Sequence, residues 1–127
     1  MFRHLTISAF VAALGLFAQT ARAEDSALLA RALAEADKAD WSTALTDGHA
    51  AGALSGEVIE WRFLRESQPG SAAFADYAGF ARRHPDWPGL PLINKAGEAA
   101  MGEGLAPDLV RDYFASQPPQ TGAGSLA

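Results

Sequence analysis

From Asp25 onward the apolar residues recur with a helical period rather than an alternating one. Leu29, Leu33 and Ala36 share one face of a segment running to about Ala39, while Arg31, Glu35 and Lys38 occupy the other. Asp25 or Ser26 supplies the side-chain oxygen that caps such a helix. Asp40 predicts a second cap, with Trp41, Ala44 and Leu45 following at i, i+3 and i+4; Gly48 and Gly52 leave the end of that helix open. A third helix is predicted from Ser55 to about Glu66. Val58, Ile59, Trp61, Phe63 and Leu64 make more than half of its circumference apolar, the pattern of a helix enclosed on several sides. Pro69-Gly70 breaks the chain, and Ser71 caps a fourth helix to about Arg83, striped by Phe74, Tyr77, Ala78 and Ala81. Two further helices start on proline, whose fixed φ and absent N–H suit a first helical position: Pro91 to about Met101 and Pro107 to about Ala115.

No segment offers a strand pattern, and Val and Ile together number only six. The fold class predicted is all-α: a short helix-hairpin array, an α-superhelix or solenoid segment of about six helices after a signal peptide. Such pairs bury one face against a neighbour, so the array needs several repeats. The repeat lies in helix lengths, not in letters. The array is assigned to residues 24–116, and residues 117–127 read as a loop leading to a next helix that is missing.

The first 23 residues read as an export signal. Arg3 and His4 form a charged start, Leu5 to Ala18 is an apolar run, and Ala21-Arg22-Ala23 gives the small-x-small pattern of a cleavage site before Glu24. The run is shorter than the roughly 20 residues a spanning helix needs, so no stable membrane span is expected after cleavage. The expected location is the periplasm.

Charge and composition then narrow the function. The chain carries 15 acidic against 10 basic side chains, a formal net charge of −5. Loss of the leader removes Arg3 and Arg22 but no acid, so no basic surface remains for a phosphate backbone and nucleic acid is excluded as a partner. Cysteine is absent, which rules out disulfides and thiolate metal sites. Only His49 and His84 remain after the leader, too few for a histidine metal site. No metal or cofactor is expected.

Three groups of residues invite a chemical reading. The first is "RRHPDWPGLP" at 82–91, where His84 and Asp86 flank Pro85. Pro85 and Pro88 push the residues before them toward extended backbone and end the helix. Arg82, Arg83 and His84 then lie where the helix presents its last carbonyls, Asp86 can accept a turn N–H, and Trp87 can plug two hairpins. His84, Pro85, Asp86, Trp87 and Pro88 are therefore read as a structural corner. The second is Glu66-Ser67, since a glutamate in apolar surroundings can protonate a glycosidic oxygen. Glu66 is expected at a solvated helix end, however, with Glu60 more than a turn away and no carboxylate opposite it. The third is the set Trp41, Trp61 and Trp87, which could stack on a glycan but falls where packing residues should fall. The "TGAGS" of the tail follows no strand and is no phosphate loop.

The stretches "ADW" (39–41), "VIEWRFLR" (58–65), "FADYAGFARRHPDWPGLP" (74–91), "NKAGEAA" (94–100) and "PPQTGAGSLA" (118–127) together resemble the N-terminal part of the soluble lytic murein transglycosylases of alphaproteobacterial type. The most specific piece is the block of Tyr77, Phe80, His84, Pro85, Asp86, Trp87 and Pro88. The resemblance implies a periplasmic protein acting on peptidoglycan, cutting between N-acetylmuramic acid and N-acetylglucosamine by intramolecular transfer and leaving 1,6-anhydromuramic ends. It also implies a ring-forming N-terminal α-superhelix and a separate lysozyme-like domain. That domain carries the catalytic glutamate in a Glu-Ser motif followed by Gly-Leu-Met-Gln. Glu66-Ser67 matches only two letters of that motif, and "QPGSAAFADYAGF" after it departs from the rest, so no residue of this chain is assigned a catalytic role. The chain stops where the family continues into another helix, which reads as a fragment or truncated form.

Two further readings stand beside this one. A free-standing periplasmic helical-repeat adaptor would bind protein partners through its concave face. A small helical enzyme would use His84 and Asp86.

Overall fold

A computed structural model describes the backbone of residues 5–127 and the side chains of residues 19–127. Arg3 and His4, the charged start of the assigned leader, lie outside the described residues. The described residues are all-α, in the order α1 (Leu5–Asp37), α2 (Trp41–Ala50), α3 (Ala53–Glu66), α4 (Phe74–Arg83), α5 (Leu90–Glu98), α6 (Pro107–Phe114) and α7 (Gly122–Leu126). The chain divides into two compact units, Met1–Glu60 and Trp61–Ala127. Each contains a helix hairpin, α1 on α2 in the first and α4 on α5 in the second, as an array of helix pairs requires.

Helix α1 does not start at Asp25 or Ser26. It runs through both, and the Ser26 hydroxyl donates to the Arg22 carbonyl at 2.8 Å instead of capping. No proline interrupts residues 5–37, so nothing in the local sequence stops the helix there. Its end is sharp: Ala39 takes φ of 60°, a left-handed conformation uncommon for a side-chain-bearing residue, and the Asp40 N–H returns to the Glu35 carbonyl. Asp40 then caps α2, accepting from the Thr43 N–H at 3.2 Å. The first core gathers Ala32, Ala36, Ala44 and Ile59, with Leu29, Leu33, Trp41 and Leu45 against it. The buried Asp47 pairs with Arg31 at 2.9 Å.

The apolar circumference of α3 has a direct explanation. Ile59 belongs to that first core, whereas Leu64 joins Tyr77, Phe80, Ile93 and Ala96 in a second, flanked by Trp61, Phe63 and Trp87. One helix supplies both. Ser71 closes a turn onto the Gln68 carbonyl at 2.6 Å, so α4 starts later than predicted. There Asp76 reaches back to the Ala73 N–H at 3.2 Å. Helix α5 lies close to its neighbours because position 97 is glycine. A Cβ there would sit 2.8 Å from the Cβ of Tyr77 and 2.5 Å from the Tyr113 hydroxyl. Within the segment read from sequence as a connecting loop, residues 122–126 form α7, capped by Thr121, whose hydroxyl accepts the Gly124 N–H at 3.1 Å.

Candidate functional site: the corner, the strap and the cleft of the second unit

Two of the corner residues, His84 and Trp87, are packed against the aromatic residues around them. The His84 ring lies 4.7 Å from Phe80 and 4.5 Å from Trp87, centre to centre, and Trp87 meets Trp61 edge-on at 6.3 Å. The Trp61 indole donates to the Pro88 carbonyl at 2.7 Å, which ties α3 to the corner, and the Arg65 guanidinium covers the Trp61 ring at 4.3 Å. Pro85, Asp86 and Pro88 are exposed. Trp41 is half-buried in the first core, while Trp61 and Trp87 are half-buried in the second. Glu66 ends α3 in a forked ion pair with Arg62, 2.8 Å at the closest approach. A pair one turn apart on a helix surface contributes only about 0.3–0.5 kcal/mol, so this carboxylate is a helix-end partner.

Glu98 is fully buried at the end of α5. One of its oxygens accepts the Gln120 N–H at 2.7 Å. The other accepts the Thr121 N–H at 2.7 Å and the Thr121 hydroxyl at 2.5 Å. Gly124 closes the arrangement, for a Cβ on it would lie 2.5 Å from the same carboxylate oxygen. Gln120 adds a side-chain bond to the Pro91 carbonyl at 3.0 Å. The stretch after α6 is thus a strap held against α5. With three donors aimed at it, the Glu98 carboxylate is committed to structure.

Beside the strap opens a cleft of about 390 Å³. Its walls come from three helical stripes: Ala78, Ala81 and Arg82 of α4, Leu90 and Asn94 of α5, and Leu109, Asp112 and Tyr113 of α6. Spacings of three and four residues put each set on one helix face. Pro85 of the corner, Ser116 and Gln117 complete the lining. Asn94 is 9% exposed. Its side-chain N–H donates to the Gln117 carboxamide oxygen, its backbone carbonyl accepts the Tyr113 hydroxyl at 2.5 Å, and its own carboxamide oxygen has no hydrogen-bond partner. Burial holds the Tyr113 phenol above its usual range, with the Glu98 charge adding to the effect, so Tyr113 serves as a donor.

Sequence reasoning missed Glu98, Asn94, Tyr113 and Gln117. The helical stripes were legible, but Asn94 and Glu98 are polar residues in positions a periodicity reading assigns to solvent. Among the described residues no cluster of three His, Cys, Asp or Glu side chains could hold a metal, and no helix is long and apolar enough to cross a membrane. Comparison of the chain with protein-family models, curated proteins and solved structures finds no match.

Proposed function

We propose that this chain is a scaffold segment of the lytic transglycosylase type, exported to the periplasm, associated with peptidoglycan, and without glycosidic-bond cleavage of its own. The observation that carries the reading is the block Tyr77, Phe80, His84, Pro85, Asp86, Trp87 and Pro88. The residues that carry the resemblance also build the second hairpin: Tyr77 and Phe80 lie in its core and the remainder forms its corner. A scaffold role is further supported by the all-helical pairing of α1 with α2 and α4 with α5. The absence of chemistry is supported by Glu66, whose partner is Arg62, and by Glu98, which is fully buried and bonded to three donors.

The test pairs two measurements on the purified chain. Co-sedimentation with insoluble murein sacculi is expected, and loss of the chain to the supernatant under conditions that keep its helical signal would overturn the scaffold reading. A murein zymogram is expected to show no clearing. A clearing zone abolished by Glu66→Gln would overturn the non-catalytic part.

A further inference from the structure

Helix α1 contains a stretch that the first core does not use. Every residue from Gln19 to Ala27 is exposed. The core draws on α1 through Leu29, Ala32, Leu33 and Ala36, and Arg31 adds its ion pair to Asp47. The turns before Leu29 are therefore held by helical backbone bonds rather than by core packing. Such turns open locally while the packed part stays closed. Within them lies Ala21-Arg22-Ala23, followed by Glu24. The Ser26 hydroxyl, donating to the Arg22 carbonyl at 2.8 Å, reaches back across the Ala23–Glu24 bond. A serine bonded in this way to the carbonyl four residues earlier slightly weakens a helix interior, whereas the same hydroxyl at a helix start caps it.

We propose that α1 is shortened in the exported protein by hydrolysis of the Ala23–Glu24 peptide bond, and that the cut turns Ser26 from a mid-helix donor into the N-cap of the remaining helix, accepting the Leu29 N–H. Water completes the step: Ala23 ends as a carboxylate and Glu24 begins as an ammonium. A protease takes its substrate as extended backbone, and unwinding α1 around Ala23 disturbs no core residue. The cut leaves the first core whole, since its α1 members start at Leu29. Charge points the same way. Arg22, unfavourable beside the positive end of a helix, is removed, while Glu24 and Asp25 are left there, where the helix dipole favours acids. In the uncut helix the same acids lie mid-helix and gain nothing from it. The cap expected from sequence at Asp25 or Ser26 thus belongs to the cut chain, and the uninterrupted helix to the uncut one. That the cut takes place during export rests on the function proposed above; the exposure of the segment and the change of role at Ser26 rest on α1 alone.

The test starts with the full chain expressed in a Gram-negative bacterium, its periplasmic fraction read by intact mass and N-terminal sequencing. A chain beginning at Glu24 is expected, and Ala23→Leu, at an exposed position, should block the cut. An uncut periplasmic chain, or one starting elsewhere, would overturn the proposal. In the uncut Ala23→Leu chain the amides of residues 23–27 should exchange at least about tenfold faster than those of Ala32 and Ala36. Equal protection would show that the fold holds the segment after all. In the cut chain Ser26→Ala should lower protection of the Leu29 amide about two- to thirtyfold, and Ser26→Asp should restore it. The same Ser26→Ala change in the uncut chain should leave Leu29 unaltered. An unaltered Leu29 in the cut chain would overturn the capping role. Export fails separately. If the chain stays in the cytoplasm but purified signal peptidase cuts it after Ala23 in detergent, the export reading falls and the cleavage site stands; a chain that this enzyme leaves intact overturns the site. If the cut chain is periplasmic and sacculi do not retain it, the murein reading falls alone.

Discussion

Replacing Glu98 with glutamine keeps the size of a side chain that has no exposed surface and changes only what it offers its neighbours. Three donors converge on the carboxylate: the Gln120 N–H on one oxygen, the Thr121 N–H and hydroxyl on the other. A carboxamide has one oxygen. If it serves the Thr121 pair, its NH2 faces the Gln120 N–H, donor against donor. Hydrogen bonds to a charged acceptor contribute about 1.5–3 kcal/mol, and a buried donor left unpaired costs about 1–3 kcal/mol. These overlap, and the expected loss is about 2–4 kcal/mol. It should fall on the strap first, because both bonded residues lie after α6 and the second core of Leu64, Tyr77, Phe80, Ile93 and Ala96 contains no part of it.

Amide hydrogen exchange separates the two. In the native chain the Gln120 and Thr121 amides should be protected. In Glu98→Gln their protection should fall by about 30- to 900-fold, at 1.36 kcal/mol per factor of ten, unless the strap's opening energy is smaller and exchange reaches the unprotected rate first. The Phe80 and Ile93 amides should change much less. Native Gln120 and Thr121 amides exchanging at unprotected rates would refute the reasoning, and so would a Glu98→Gln variant that leaves their protection intact.

Other substitutions probe other layers. Gly97→Ala places a methyl group within contact of Tyr77 and Tyr113, and overpacking of this kind costs about 1–3 kcal/mol, to be read as a lowered urea midpoint. Tyr113, with its phenol held above the usual range, binds its proton more tightly folded than unfolded. Its contribution is therefore complete below the unfolded phenol value of about 10 and declines as pH rises beyond it; Tyr113→Phe should flatten stability above that pH. Asp40 is held below the ordinary carboxylate range by the Thr43 side chain and N–H. Its cap is present above the unfolded value of about 3.9 and is lost as pH falls through the lower folded one, so Asp40→Ala should lose stability at neutral pH and remove part of the acid slope. Ala39→Gly should raise the melting temperature, since φ of 60° costs a side-chain-bearing residue about 1–2 kcal/mol, offset in part by the added freedom of glycine when unfolded.

What could be read in advance follows from which forces are local. The starts at Trp41 and Pro107 were legible because an aspartate cap and a first-turn proline act within a few residues. The dual role of α3 was legible as an apolar circumference, although which residue faced which core was not. Ser26 and Ser71 mislead because a hydroxyl can donate to a carbonyl as readily as it can cap, and context decides. The site was the least visible part. Glu98 meets Gln120 and Thr121 across 22 and 23 residues, and Asn94 meets Tyr113 and Gln117 across 19 and 23. No periodicity carries information over that range. The "GAG" of the tail, read from sequence as part of a connecting loop, is shaped by the close approach of the Glu98 carboxylate to Gly124.

The second unit has no cysteine with which to fasten the stretch after α6, and that stretch contributes no residue to the second core. A buried carboxylate can take over the fastening because its acceptors are satisfied by backbone donors from two successive residues, which fixes the direction of the strap as well as its position. Fixing the strap also brings Gln117 onto Asn94, and this pairing uses the Asn94 amide N–H while leaving its oxygen over. The unmatched Asn94 oxygen is thus a consequence of the strap's register. Glu98→Gln should therefore also loosen the Asn94–Gln117 pairing, read as a shift of the Asn94 side-chain amide resonances, whereas Glu66→Gln, on a different helix end, should leave them in place. Asn94 side-chain amide resonances unchanged in Glu98→Gln, with the strap demonstrably released, would show that the pairing does not depend on the strap.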